Sequence, residues 1–199
     1  MPEDFASSNL THHFLIAMPS LQDEVFAKSV VYICEHSERG ALGLVINKPC
    51  GMAMTHLFSK IELNLQREDL HSAPVFIGGP LQIERGFILH EQIIVPEDTS
   101  GNSIYASTMR IPGGLEMTTS KDVLEAISFG AGPQKVLVSL GYSAWGEGQL
   151  EEELSDNSWL TVAADIGLIF DTPVSQRYDQ ALRLLGVDRC MLSPEVGRA

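Results

Sequence analysis

No stretch of this 199-residue chain approaches the roughly 18 consecutive apolar residues that a membrane-spanning helix needs. Its first residues, Met1-Pro2-Glu3-Asp4, place acids where a secretory signal would place bases, so a cytoplasmic protein is expected, with no membrane among its partners. Cysteine is scarce. Cys34, Cys50 and Cys190 are odd in number, widely spaced and without a C-x-x-C pair, which argues against a disulfide framework and against a zinc knuckle. Basic residues are few, 13 against 26 acidic ones, and the net charge of −13 creates a field that repels polyanions. The bases are also scattered, with no run that could build a basic arm, so direct nucleic-acid binding is not expected. Neither G-x-x-x-x-G-K-[ST] nor G-x-G-x-x-G occurs, nor does H-E-x-x-H or another familiar ligand spacing. No cofactor and no metal are therefore expected.

What remains is the composition of an ordinary globular protein, 44% hydrophobic and 20% charged, with enough apolar mass for a sizeable core. Residues 1–8 are small and polar and read as a flexible tail, leaving residues 9–199 as a single domain. Aliphatic and β-branched runs bounded by Pro, Gly and polar clusters predict strands over 14–17, 30–34, 42–46, 75–77, 86–90, 103–106, 115–118 and 136–140. The second and third are separated by only seven residues, too few for a parallel crossover, which predicts an antiparallel hairpin with Gly40 in its turn. Most of these strands follow one another without intervening helices, so the expected class is α+β. Helices are predicted over 172–185, with Thr172 as cap, Pro173 at the first position and Gly186 beyond the end; from Ser120 as cap to Gly130; and over 147–154. In the first of these Val174, Tyr178, Ala181, Leu182 and Leu185 form one apolar stripe that must face a core. A weaker helical pattern covers 54–60.

The motifs HHFLIAMP at 12–19, SVVYICEH at 29–36 and GALGLVINKP at 40–49 appear in that order, followed by GGP at 78–80 and ERGFILH at 84–90. TTSKDVL at 118–124, LGYSAWGEGQLEEEL at 140–154 and NSWL at 157–160 complete the series. In this order and spacing the chain resembles the AlgH/YqgE family of small bacterial proteins. The resemblance implies a mostly antiparallel, bifurcated sheet curled into a pseudo-barrel with flanking helices. It also implies a regulatory role in transcription, a description that rests on genetics. Tyr178 departs from the pattern, standing where members often carry Trp.

Several constellations bear on chemistry. The segment 136–154 runs strand, glycine-rich turn, helix, but the helix opens with Glu147 and continues with Glu151, Glu152 and Glu153, which would repel a phosphate. Ser143 occupies the place of a nucleophile in that turn, yet G-x-S-x-G requires Gly where Trp145 stands. Tyr142 and Trp145 read instead as packing residues with polar tips at a surface, and with Gln149 they mark a candidate surface turn. Cys34 and His36 are two apart in a strand and should share a face, with Glu35 on the other, and Cys34 is expected to be a buried, unreactive thiol. His12 and His13 are adjacent and would point opposite ways, so they do not form one metal site.

Polar residues inside apolar strands are the more informative signal, because burial obliges them to find partners. Glu35, His36, Asn47, Arg85 and His90 all stand near strand ends and could converge, with Glu35 pairing Arg85 and the histidines lining one mouth of the barrel. Three readings remain: an ionic network, a ligand site, or an interface. The function expected first is a non-enzymatic binding or regulatory module for an unidentified protein or small molecule. The rival is an enzyme of unrecognised type using Glu35, His36, Arg85 and His90 for acid/base work.

Overall fold

The structure, a computed structural model, describes residues 9–94 and 102–192, so the tail expected over 1–8 lies outside the described residues. Among the described residues, ten strands and five short α-helices form an α+β fold in which an antiparallel sheet curls into a half-barrel. The strands are β1 (His13–Ala17), β2 (Val30–Ser37), β3 (Gly40–Val45), β4 (Pro49–Ala53) and β5 (Pro74–Ile77), followed by β6 (Leu81–Glu91), β7 (Thr108–Ile111), β8 (Leu115–Thr118), β9 (Val136–Trp145) and β10 (Trp159–Ala163). Their order is β10-β1-β2-β3-β9-β6-β8-β7, with β4 and β5 branching off beside β9.

The branch explains the bifurcation. Ser143 to Trp145 of β9 pair with Gly43 to Ala41 of β3, whereas Val136 to Leu140 pair with His90 to Gly86 of β6, and Ser139 and Leu140 also run parallel to Phe76 and Ile77 of β5. One strand therefore belongs to both limbs of the sheet. It changes partners at Gly141, whose φ of 72° lies in the left-handed region that glycine tolerates best. The GGP motif is fixed by the same junction: a Cβ on Gly78 would stand 2.2 Å from the Gly141 carbonyl oxygen, so two main chains cross where no side chain fits. Opposite Gly141, residues 82–85 of β6 have no counterpart and form a wide bulge between the pairs Leu81–Tyr142 and Gly86–Leu140.

Alternation along the strands divides the apolar residues among three cores. Phe14, Tyr32, Leu44, Ile46, Phe76 and Leu89 line the concave face and meet Tyr178, Ala181 and Leu182. Leu15, Val31, Ile33 and Trp145 face the other way with Leu150 of α3 (Gln149–Ser155). Val75, Ile88 and Val138 pack with Phe58 of α1 (Met54–Lys60) and with Val123 and Ile127 of α2 (Asp122–Ser128).

The helix expected over 172–185 is present in shortened form. A 3-10 turn at Val174–Gln176 leads into α5 (Arg177–Leu184), and the hydroxyl of Thr172 donates to the Gly167 carbonyl rather than capping the helix. Pro173 precedes the 3-10 turn, and Gly186, at φ 71°, closes the far end through the Gly186 and Val187 N–H groups on the Arg183 and Leu182 carbonyls. The helix α2 starts after Lys121, not Ser120, because the Ser120 hydroxyl is engaged by the Ser107 N–H and by Asp122. In the β2–β3 hairpin Gly40 begins the second strand, and Glu38 and Arg39 make the turn.

One expected strand is absent. Residues 103–106 carry no strand, with bends over 104–107, since the N–H groups of Tyr105, Ala106 and Ser107 are taken by the side chains of Ser103, Asp122 and Ser120, which compete with any sheet partner. The strands β4, β7 and β10 and the helix α4 (Ile166–Phe170) are additions that the sequence pattern did not mark.

Candidate functional site

The five polar strand residues do not form one cluster. His36 pairs with Ala41, which pairs with Trp145 at the end of β9, whereas His90 pairs with Val136 at its beginning. The ten-residue length of β9 separates the two histidines. Glu35 and Arg85 make no ion pair: Glu35 is exposed, and Arg85 donates to Thr119 Oγ1 at 3.1 Å and lies over the Phe87 ring.

A β-bulge between Ile33 and Glu35 accounts for part of the difference. The extra residue reverses the alternation, so Cys34 faces the concave core while His36 turns toward α3 on the opposite face; the expected Cys34/His36 pair does not exist. Cys34 is 2% exposed and burial pushes its thiol well above the usual range, which suits an inert packing residue. His36 receives the Leu10 N–H on Nδ1 at 3.0 Å, so its proton sits on Nε2 and points to Glu151 Oε1 at 2.8 Å. It staples the segment before β1 to α3.

Asn47 is a second staple, accepting from the Val30 N–H and donating to the Lys28 carbonyl. His90 is fully buried, with Nδ1 donating to the Glu91 carbonyl and Nε2 accepting from Thr118, each at 2.8 Å, and with its ring edge-on to Tyr105. Burial lowers its pKa below the ordinary histidine value, opposed by its bond to the Glu91 carbonyl and by the nearby Glu116. Glu116, itself buried, is held by Arg110 at 3.2 Å and by the Ser103 hydroxyl.

At the turn after β9 the picture is divided. Trp145 is 4% exposed and not a surface residue; its indole N–H donates to Glu153 Oε2, which also receives the Trp159 indole N–H, while Gln149 donates to Glu153 Oε1. Phe26 completes an aromatic cluster over both tryptophans. Tyr142 faces the other way, 5.1 Å from the Phe87 ring. Ser143 is fully buried and donates to the Gly78 carbonyl, so it is not poised as a nucleophile. His12 bonds Tyr32 and His13 bonds the Thr11 carbonyl, and among the described residues no three His, Cys, Asp or Glu side chains are grouped to hold a metal.

Two features were not singled out in the sequence. Ile77, Leu81 and Ile83 are exposed aliphatic residues, at 41%, 41% and 61%; the main chain of Leu81 and Ile83 lies against Gly141 at the bulge, Ile77 pairs with the adjacent Leu140, and Glu84 and Arg85 follow Ile83 in the chain. Arg177, which counts in the sequence as one scattered base, is 6% exposed and stacked over the Phe76 ring. Its one legible signal is its place beside Tyr178, at the start of the apolar stripe of α5. No described helix is long and apolar enough to cross a membrane.

Comparison with known proteins agrees with the order of motifs. A protein of Albidiferax ferrireducens, named UPF0301 protein, is 70% identical over the full length of both chains, and one from Polaromonas is 69% identical over the same span. The solution structure of the AlgH protein from Pseudomonas aeruginosa shares 46% identity and superimposes with a TM-score of 0.74 over 97% of this chain and 98% of that one. A crystal structure of a Corynebacterium diphtheriae protein, 22% identical, shares the fold with a TM-score of 0.68 over 89% of this chain and 87% of that one. The profile of the AlgH-like family matches residues 14–190, and the chain belongs to that family.

Proposed function

We propose that this protein is a non-enzymatic binding module of the cytoplasm that influences transcription indirectly, by docking a protein partner rather than DNA. One observation carries the reading. Three of the candidate polar side chains are occupied by the fold, His36 by Leu10 and Glu151, His90 by Thr118 and Glu91, and Asn47 by Val30 and Lys28, whereas Ile77 at the end of β5 and Leu81 and Ile83 at the bulge of β6 are exposed to solvent. An acid/base enzyme needs its groups within reach of one substrate, and β9 holds the two histidines at opposite ends. Aliphatic side chains rimmed by one acid and one base are, by contrast, the composition of a small protein interface.

A photoreactive amino acid at position 83, introduced in growing cells, tests this. One discrete adduct is expected, lost when Leu81→Asp accompanies it. No adduct, together with turnover of any compound by the wild type that His36→Gln or His90→Gln abolishes, overturns the reading in favour of the enzyme.

A further inference from the structure

The guanidinium of Arg177 is held through two of its three nitrogens and by a ring face. Its Nε donates to the Thr172 carbonyl at 3.0 Å and Nη1 to the Ile46 carbonyl, while the Phe76 ring lies 5.1 Å beneath Cζ. These contacts tie α5 to the end of β3, and they account for two of the three nitrogens. Among the described residues Nη2 makes no hydrogen bond, and Arg177 as a whole is 6% exposed. No described carboxylate forms an ion pair with it. Removal from water lowers its pKa to about 10, which leaves the group charged at neutral pH.

A buried cation with no ion-pair partner among the described residues is costly, and it stands out in a chain with twice as many acids as bases. The two carbonyls and the ring fix the plane of the guanidinium, so its free edge is already oriented and little side-chain entropy remains to be lost on binding. Such an edge presents parallel N–H groups matched to a planar oxyanion. The net charge of −13 disfavours ligands of several negative charges.

We propose that Arg177 is the anchor of a binding site for a small monocarboxylate, received on the Nη1/Nη2 edge beside Phe76. This site is independent of the protein-docking surface at the β6 bulge.

The test is an NMR titration of the uniformly labelled protein at constant ionic strength, following the Arg177 Nε–Hε resonance and the backbone amide of Thr172. Acetate, chloride and inorganic phosphate are the probes. The expected result is a saturable shift with acetate, much weaker with chloride and with phosphate, and absent in Arg177→Lys, which keeps the charge but not the planar fork. If Arg177→Lys does not fold, the ranking of the three anions on the wild type decides alone. Equal, non-saturating shifts with acetate and chloride would show an adventitious ion only and overturn the site; tighter binding of phosphate would overturn the ligand class. A saturable acetate response that survives in folded Arg177→Lys would remove Arg177 from the anchor role. None of these outcomes affects the adduct expected at position 83.

Discussion

Gly78→Ala puts the sheet junction under direct strain. The new methyl group would lie 2.2 Å from the Gly141 carbonyl oxygen and 2.8 Å from Ser139 Oγ. The serine hydroxyl can rotate away, but the carbonyl belongs to β9 and cannot. The main chain of Gly78 is itself fixed by three hydrogen bonds, its N–H to Leu140 and its carbonyl to the Val45 N–H and the Ser143 hydroxyl. Separating the strands far enough to admit a methyl group sacrifices these bonds, worth about 1 kcal/mol each, and adds overpacking of roughly 1–3 kcal/mol. A loss of about 4–6 kcal/mol follows, a large part of the total stability of a domain this size, which is typically ~5–15 kcal/mol.

The matched control is Gly86→Ala, whose methyl group would meet only Ile88 Cδ1 at an ordinary 3.7 Å. Alanine there should be neutral or stabilising by about 0.5–1 kcal/mol, because glycine weakens a strand interior. Urea unfolding of both variants, fitted with a common slope, measures the difference. Equal midpoints would refute the claim that main-chain crossing at Gly78 and Gly141 fixes the GGP motif.

Three further outcomes are expected. Leu182→Ala, removing a side chain 1% exposed beneath the half-barrel, should cost roughly 2–5 kcal/mol by the same urea assay, and a change within about 0.5 kcal/mol would contradict its place in the core. Because His90 has a folded-state pKa below 6.5, the unfolded chain binds more protons through that window; its effect is nil above about pH 7 and stability falls as pH drops through 6.5 toward the folded value. Unfolding midpoints followed from about pH 7.5 to 5 should therefore decline less steeply in His90→Gln, and identical slopes would contradict the assignment. Labelled duplex DNA should show no sub-micromolar binding by anisotropy between about 50 and 200 mM salt; binding that weakens steeply with salt would indicate phosphate contacts and restore a direct role on DNA.

Local pattern revealed those elements whose stability is local. The β2–β3 hairpin, the apolar stripe of α5 and the α+β class follow from alternation, spacing and short connections. The strand β10 was invisible because Trp159-Leu160-Thr161-Val162-Ala163 is a short, unalternating apolar run, made a strand by β1 far earlier in the chain. In β4, Pro49 and Gly51 argue against any strand, and only β5 supplies its pairing. Residues 103–106 have strand composition, yet hydroxyl and carboxylate side chains nearby claim their N–H groups. The candidate polar cluster failed for two physical reasons. A single bulge at Cys34 inverted the faces assumed for His36, and no linear pattern reveals that β9 stands between Glu35 and Arg85. Arg177 escaped notice because its significance lies in the carbonyls and ring around it, all distant in sequence except Thr172.

The sharing of β9 also fixes a timetable for synthesis. The outer edge of β3 receives Ser143 to Trp145, and the outer edge of β1 receives Trp159 to Ala163, in each case from chain made more than a hundred residues later. At roughly 5–20 residues per second, β1, β2 and β3 leave the ribosome ~5–30 s before the strands that cover them. Throughout that interval their unpaired amide and carbonyl groups flank bare aliphatic faces, the condition under which edge strands join to the wrong neighbour. Production of the intact protein thus depends on how long the nascent three-stranded unit stays solitary, and slower elongation through residues 50–135 lengthens its exposure.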